Sequence, residues 1–316
     1  MKEKILITGA SGMVGLAFQK MTSRYNFVYV SSPSSTMTGA TSCDLRDTVA
    51  TQNVIAHHRP NAIIHLAAKV GGVKSNMDYL ADFYHDNIMI NTNLLEAARI
   101  HKVDKVVSLL STCVYPNTVS YPLTEDQIHK GPPHSSNYAY AYAKRMLDIQ
   151  SQAYRDQYGC NFVTAVPNNL FGENDNFHLE NSHVLPAMIR KIYEAKQRGS
   201  HVELWGDGKP LREFTYSGDV ARALLLVLEG YNGRDPINIG NTEEVSIKGL
   251  AEMISEILEF QGEITWNTSK PKGQFKKPSD NSKFQSLCQM NYTPLTEALK
   301  KTCDWFIMNY PNVRDF

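Results

Sequence analysis

Residues 138 to 144 read Tyr-Ala-Tyr-Ala-Tyr-Ala-Lys, three phenols and one ammonium in a stretch of helical pattern. Spacing selects one pair. Tyr140 stands four residues before Lys144 and shares its helix face, whereas Tyr142 is turned roughly 160° away from that lysine. An ammonium beside a phenol stabilises the phenolate, so Tyr140 is expected to have a lowered pKa and to exchange a proton with a carbonyl or alcohol oxygen. Upstream, Ser111-Thr112-Cys113 follows an apolar run. A hydroxyl at the carboxyl end of a strand can hydrogen-bond the same oxygen and share its developing charge with Tyr140. If the strand continues, Cys113 lies two residues on and on the serine's face. Packing as a small buried hydrophobe is the other reading of that cysteine.

Chemistry of this kind needs a hydride carrier, and the chain opens with a place to hold one. Thr8-Gly9-Ala10-Ser11-Gly12-Met13-Val14-Gly15 follows an apolar strand and leads into a helical pattern. Gly9 allows the sharp turn, Gly12 lets backbone approach a pyrophosphate, and Gly15 lets helix and strand pack closely; the helix start around Ser11, Met13 and Val14 offers unpaired amides. Lys144 can also hold the nicotinamide ribose. Enzymes that prefer NAD carry an acid near the end of the second strand. Here that place reads Ser31-Ser32-Pro33-Ser34-Ser35, whose hydroxyls can donate to a 2′-phosphate that a carboxylate would repel. NADP(H) is the expected cofactor. Asp44 either reaches the adenine or enters a helix. Leu66, Ala67 and Ala68 end the next strand with small or apolar side chains, as needed where backbone passes close to a dinucleotide.

The elements that must position these groups follow from hydrophobic pattern. Residues 1–170 alternate short apolar strands (Ile5 to Thr8, Phe27 to Ser31, Ala62 to Leu66, Val106 to Leu110, Phe162 to Val166) with helical patterns (Met13 to Ser23, Thr48 to His58, Asn87 to His101, Tyr140 to Tyr158). Fully apolar strands separated by helices predict an α/β fold with a doubly wound parallel sheet, covered on both faces. Residues 171–316 loosen into longer polar segments, with helices expected near Val184 to Gln197, Asp219 to Glu229, Ile247 to Leu258 and Leu295 to Tyr310. They read mainly as a smaller α/β substrate lobe, with parts of 213–242 rejoining the Rossmann domain.

The 316 residues carry 32 basic and 32 acidic side chains, so no overall field favours nucleic acid or an anionic membrane. The expected partner is a small molecule. Five scattered cysteines without Cys-x-x-Cys spacing argue against a disulfide framework and against zinc, and no metal is expected. No apolar run reaches the ~18 residues of a membrane span. The run Ile5 to Ile7 is too brief for a signal peptide, so a soluble, cytoplasmic protein is expected.

Taken together, these residues resemble the extended short-chain dehydrogenase/reductase family over essentially the whole chain. The marks are Gly-Ala-Ser-Gly-Met-Val-Gly at 9–15, His-Leu-Ala-Ala-Lys-Val-Gly-Gly at 65–72, Leu-Ser-Thr-Cys-Val-Tyr-Pro at 110–116, Tyr-Ala-Tyr-Ala-Lys at 140–144, Pro-Asn-Asn-Leu-Phe-Gly at 167–172, Asp-Asn-Phe-His at 175–178, Asn-Ser-His-Val-Leu-Pro at 181–186 and Gly-Gln-Phe-Lys-Lys at 273–277. Within the family, the Ser-Thr-Cys and Asn-Ser-His-Val segments resemble members that both epimerise and reduce a GDP-linked keto sugar. The resemblance implies that GDP-4-keto-6-deoxy-D-mannose is inverted at C3 and C5 and then reduced at C4 by NADPH to GDP-L-fucose. It implies Cys113 as base and His183 as acid, with Tyr140 and Ser111 on the carbonyl oxygen. It further implies cofactor contacts from Pro167, Asn168, Asn169, Leu170 and His183, and a homodimer through the 87–101 and 140–158 helices. Lys191, Trp205 and Arg212 are implied at the GDP-sugar, two cations for a diphosphate and a flat ring for a base or sugar. Without the resemblance, His183 reads as an interior histidine bonded to backbone. Lys272 departs from the family, which usually carries an acid there. The alternatives are another nucleotide-sugar epimerase of the same family and a non-catalytic NADP-binding sensor.

Overall fold

The computed structural model describes residues 2–269 and 275–314. The first half runs β1 (Lys4–Thr8), α1 (Met13–Gln19), β2 (Asn26–Ser31), β3 (Ala40–Ser42), α2 (Thr48–His58), β4 (Ala62–His65), α3 (Val73–Asp78), α4 (Leu80–Ile100), β5 (Lys105–Leu109), α5 (Tyr138–Tyr158) and β6 (Phe162–Pro167). The second runs β7 (Asn169–Phe171), α6 (Val184–Arg198), β8 (Val202–Trp205), β9 (Leu211–Tyr216), α7 (Ser217–Gly230), β10 (Ile237–Ile239), β11 (Glu244–Ser246), α8 (Ile247–Ile257), β12 (Ile264–Asn267), α9 (Ser282–Leu287) and α10 (Leu295–Asn309).

Seven strands form one parallel sheet in the order β10-β6-β5-β4-β1-β2-β3. Their side chains divide by the period of two. Leu6, Ile63, Val106 and Phe162 enter one layer with Leu94 and Leu95 of α4 and Leu147 of α5. Ile5, Ile7, Ile64, Val107 and Val163 enter the other, against Phe18 of α1 and Val220, Leu224 and Val227 of α7. Burial on both faces explains why these strands are apolar throughout. The chain order reverses between β1 and β4, so the loops leaving their carboxyl ends part and leave a crevice.

A separate core forms around Phe171, Phe177, Leu185, Ile189, Leu250, Ile254 and Phe306, drawn from β7, α6, α8, α10 and the connections between them. The three-stranded sheet β11-β9-β7 and the pair β12-β8 lie in this half. These strands are three to six residues long, too short for alternation to declare itself in the sequence. Strand β10 returns to the large sheet beside β6 after α7 has packed on its face.

Helix ends differ from the sequence reading where local chemistry outweighs periodicity. Helix α1 stops at Gln19, four residues before Ser23. Helix α4 begins at Leu80, seven residues before Asn87; of its first turn only Phe83 is fully buried, so little apolar periodicity marks the start. Asp47 caps α2, its carboxylate accepting from Val49 N at 2.8 Å and Ala50 N at 2.9 Å. Arg59, in the left-handed conformation, closes that helix before Pro60. We predict that Asp47→Ala lowers stability by about 1 kcal/mol through two unpaired amides, read as a lower urea midpoint; an unmoved midpoint would show the cap to be inert.

Candidate active site

Strand β5 ends at Leu109, and the chain then turns through a 3-10 segment, Thr112–Val114, that carries the reactive groups. Ser111 is extended, with φ −161° and ψ 153°, and its hydroxyl accepts from Cys113 N at 3.4 Å. The strand therefore does not continue to Cys113, and the strand-phase argument for that thiol fails. The turn itself brings Cys113 near Ser111. Helix α5 supplies the other partners. Lys144, 3% exposed, donates from Nζ to Leu109 O at 2.8 Å, and its ammonium lies 5.9 Å from the centroid of the Tyr140 ring. Tyr140 also meets Phe83 of α4 edge to face, with centroids 6.2 Å apart.

Burial dominates the electrostatics of this cluster. It raises the Tyr140 phenol well above its ordinary value, with the charge of Cys113 adding to the rise. The expected lowering of the tyrosine pKa is thus not found in the free chain, because burial of the phenol outweighs the nearby ammonium. The same burial pulls Lys144 down to about 8, opposed by the negative charge available at Cys113. Burial also raises the Cys113 thiol, opposed by the Ser111 hydroxyl and by Lys277, Lys144 and Arg145. Positive neighbours thus surround the cysteine, and desolvation outweighs them.

The crevice at the β1/β4 switch is built from small residues in close approach. Gly9 has φ +66°, and a Cβ there would stand 2.7 Å from Ala67 N. A Cβ at Gly15 would stand 2.5 Å from Ala10 O, so this glycine allows α1 to lie against the turn. Gly12 begins α1, whose first turn carries no acid and no side-chain cap, leaving the amides near Ser11, Met13 and Val14 unclaimed by side chains. The neighbouring strand is tied in by a buried relay. His65 Nε2–H donates to Asn91 Oδ1 at 3.1 Å, so Nδ1 accepts the Thr8 hydroxyl at 2.8 Å. Thr8 Oγ1 accepts in turn from Leu66 N and Ala67 N. Burial pushes His65 down to about 3, which keeps the ring neutral and the relay directional. Ala68 follows directly, half-buried.

Other sequence-selected residues sit around this edge. Ser31 ends β2, and Ser32 Oγ lies 3.0 Å from Ser34 Oγ in the loop that follows. The Asp44 carboxylate is held by the Arg46 guanidinium at 2.8 Å and by Arg46 N at 3.0 Å, while the helix cap is Asp47. Pro167 ends β6. Asn168 is buried and committed internally: it accepts from the Thr215 hydroxyl at 2.6 Å and donates to Glu213 and Asn241 O. Asn169 and Leu170 open β7, where Asn169 is exposed and donates to Glu213 O at 2.8 Å.

His183 stands at the amino terminus of α6. It is open to solvent yet surrounded by protein mass, and that partial desolvation holds its pKa below the ordinary value. Among the described residues its ring has no hydrogen-bond partner. The loop before it is tied to the start of α3. Gly72 N donates to Asn181 O at 2.8 Å, and a Cβ at Gly71 would stand 3.0 Å from the Phe83 ring that packs on Tyr140. Lys191 lies over the Trp205 ring at 4.9 Å, and Trp205 is 42% exposed. Arg212, on β9, is half-buried and donates to Leu211 O at 2.7 Å; burial lowers its pKa. Lys272 lies outside the described residues.

Gly72, Arg145 and Lys277 went unremarked as individual residues in the sequence. Gly72 admits no side chain, since a Cβ would stand 2.7 Å from Asn181 O. Arg145 follows Lys144 directly and is 4% exposed, a burial that no periodicity announces for an arginine.

The NAD dependent epimerase/dehydratase family model matches residues 5–240. The GDP-L-fucose synthase of Dictyostelium discoideum is 42% identical over 99% of this chain and 98% of its own length. That of Escherichia coli strain K12 is 32% identical, covering 99% of each chain. A solved GDP-L-fucose synthetase from Naegleria fowleri bound to NADP is 39% identical, with a TM-score of 0.90 over 99% of this chain and 96% of that one. With its parallel sheet, glycine turn and Ser111/Tyr140/Lys144 cluster, the chain belongs to the NAD dependent epimerase/dehydratase family, in the branch of the GDP-L-fucose synthases.

Proposed function

We propose that this chain converts GDP-4-keto-6-deoxy-D-mannose to GDP-L-fucose, inverting C3 and C5 and then reducing C4 with NADPH. The observation that carries the reading is the turn after β5, where Ser111 and Cys113 lie beside Tyr140 and Lys144 of α5. Residues 1–170, with the returning segment within 213–242, hold the cofactor. Residues 171–316 mainly hold the sugar nucleotide, with Lys191, Trp205 and Arg212 on the GDP moiety.

The cofactor fits the chain's own residues. Gly9, Ser11, Gly12, Met13, Val14 and Gly15 would receive the diphosphate, Leu66, Ala67 and Ala68 would lie along the cofactor, and the serines after β2 would suit a 2′-phosphate. Asp44 would meet the adenine, and the 167–170 segment with His183 would meet the nicotinamide. When bound, NADPH supplies the hydride. Everything else falls to side chains.

The 4-keto group acidifies the hydrogens on C3 and C5. Cys113, as thiolate, removes one of them; the electron pair passes to the carbonyl oxygen, which accepts hydrogen bonds from Ser111 and Tyr140. His183 returns a proton from the opposite face, inverting the carbon. In the free chain burial biases the Cys113 thiol toward its uncharged form, and partial desolvation biases the His183 imidazole the same way. The working state, thiolate with imidazolium, differs from that resting state by one proton moved between them, so the net charge is unchanged. At the final step Tyr140 gives its proton to O4, and Lys144 stabilises the phenolate left behind.

The five cysteines are unpaired thiols, which suits a reducing compartment, and we place the protein in the cytoplasm. Among the described residues no helix is long and apolar enough to cross a membrane. A homodimer through α4 and α5 accounts for Tyr84, Tyr142, Met146 and Ile149, which are 37–44% exposed on these two helices. The last three recur at helical spacing along one face.

Purified protein given the keto sugar and NADPH should oxidise NADPH in proportion to product; none consumed would remove this function. Tyr140→Phe should slow NADPH oxidation by about two orders of magnitude or more, while solvent deuterium still enters C3 and C5. Equal loss of both would end the separation of roles. Gly72→Ala should displace the His183 loop and cut deuterium exchange by about tenfold or more; unchanged exchange would detach His183 from the chemistry. Ile149→Glu should give monomers by light scattering where the unsubstituted chain gives dimers, and a monomeric parent would refute the interface.

A further inference from the structure

The turn that carries Ser111 and Cys113 is bound by three cations, each donating to a different backbone carbonyl. Lys144 Nζ holds Leu109 O at 2.8 Å, Lys277 Nζ holds Thr112 O at 2.9 Å, and Arg145 Nε holds Val114 O at 2.6 Å. Arg145 Nη1 also donates to Gly131 O at 2.7 Å, while its Nη2 is buried without a partner. Lys144 serves reduction. Nothing in reduction at C4 requires the other two, and both carbonyls they hold flank Cys113 in sequence.

Placing cations on carbonyls fixes the turn and surrounds the thiol with positive charge. The groups that face Cys113 are Ser111 from its own turn, Lys144, Arg145 and Tyr140 from α5, and Lys277 from the segment after residue 274. Arg212 lies behind Lys277 and opposes its charge. We infer that Arg145 and Lys277 are positioning residues for epimerisation: they hold the Cys113 turn from both sides and supply the field in which its thiolate forms. This rests on Cys113 being the base.

The two cations are not equivalent in their dependence on pH. Lys277 and Lys144 are each pulled down to about 8 by burial, so their charges fade as pH rises through that value. A guanidinium keeps its proton throughout this range even when burial lowers its pKa. Arg145 is therefore the lasting positive charge on the turn in mildly alkaline solution, and Lys277 acts most strongly below that range.

The test is the rate at which iodoacetamide alkylates Cys113 in the full chain, resolved from the other cysteines by mass spectrometry and followed against pH. Neither sugar nor NADPH is present, so the outcome is separate from whether the chain consumes NADPH. Arg145→Met should move the alkylation midpoint upward by about one pH unit, roughly a tenfold loss of thiolate at a fixed pH below it. Lys277→Met should slow alkylation by about tenfold at about pH 7, where the lysine is charged, and Lys277→Arg should restore the rate there. A rate at that pH unmoved by Lys277→Met, or lowered equally by Lys277→Arg and Lys277→Met, overturns the inference. Arg145→Met leaves two buried carbonyls unpaired, so if it fails to fold, the half-buried Lys277 pair decides alone. NADPH affinity, titrated by fluorescence, should stay within about threefold in Lys277→Met; a tenfold loss would move Lys277 to the cofactor site and refute its assignment to epimerisation.

Discussion

The hydrogen bond from Lys144 to Leu109 O is the contact on which the site depends. It joins the middle of a 21-residue helix to the last carbonyl of a sheet strand, so the face of α5 that carries Tyr140 is set relative to the turn that carries Ser111. Lys144 is almost fully buried, and an ammonium in such a place is costly unless its donors are satisfied. The bond to Leu109 O meets part of that need and ties α5 to the turn after β5.

That arrangement explains why the site is electrostatically unsettled without its ligands. Burial raises Tyr140 and Cys113 and lowers Lys144, Lys277 and His183. Each group is thus biased toward its uncharged form. A site biased in this way gains most when opposite charges form as pairs, because a lone charge meets the full desolvation cost and a pair shares it. Phenolate at Tyr140 with the Lys144 ammonium, 5.9 Å from the ring centroid, is such a pair. A lone lowered tyrosine pKa, the expectation from helical spacing, treats the lysine as acting through water and omits the burial that the fold imposes on both side chains.

Much of the fold was legible because the strands of the large sheet are buried on both faces, which forces continuous apolar runs, and because the glycine turn must follow the first of them. Tyr140 and Lys144 were legible for a related reason: helical spacing alone separates them from Tyr138 and Tyr142. What was not legible depends on contacts distant in sequence. The phase argument for Cys113 supposed that the strand continues, whereas a serine hydroxyl accepting from the amide two residues on accompanies a 3-10 turn there. The Thr8–His65–Asn91 relay joins residues up to 57 apart in sequence, and no local pattern marks an interior histidine as neutral and directional. The short strands β7, β8, β9, β11 and β12 offered too few residues for a period to be read.

The segment from Phe275 to Asn281 shows how such a region is held without secondary structure of its own. Glu213 is 2% exposed, and burial raises its pKa. Its carboxylate is nevertheless met by Ser279 N at 2.9 Å, by the Ser279 hydroxyl at 2.5 Å and by Asn168 Nδ2 at 3.2 Å. Leu123 N donates to Pro278 O, and Leu211 N to Phe275 O, fixing the segment at two further points. A buried acceptor with its partners in place is directional and costly to rearrange. The Glu213 carboxylate therefore sets Ser279 and Asn168 at a common distance from β9, and Lys277, two residues before that serine, is delivered to Thr112 O by the same constraint. The reach from β9 to the Cys113 turn thus passes through the Glu213 carboxylate together with the Leu211–Phe275 bond, so the geometry of the proposed base depends on a strand of the second half.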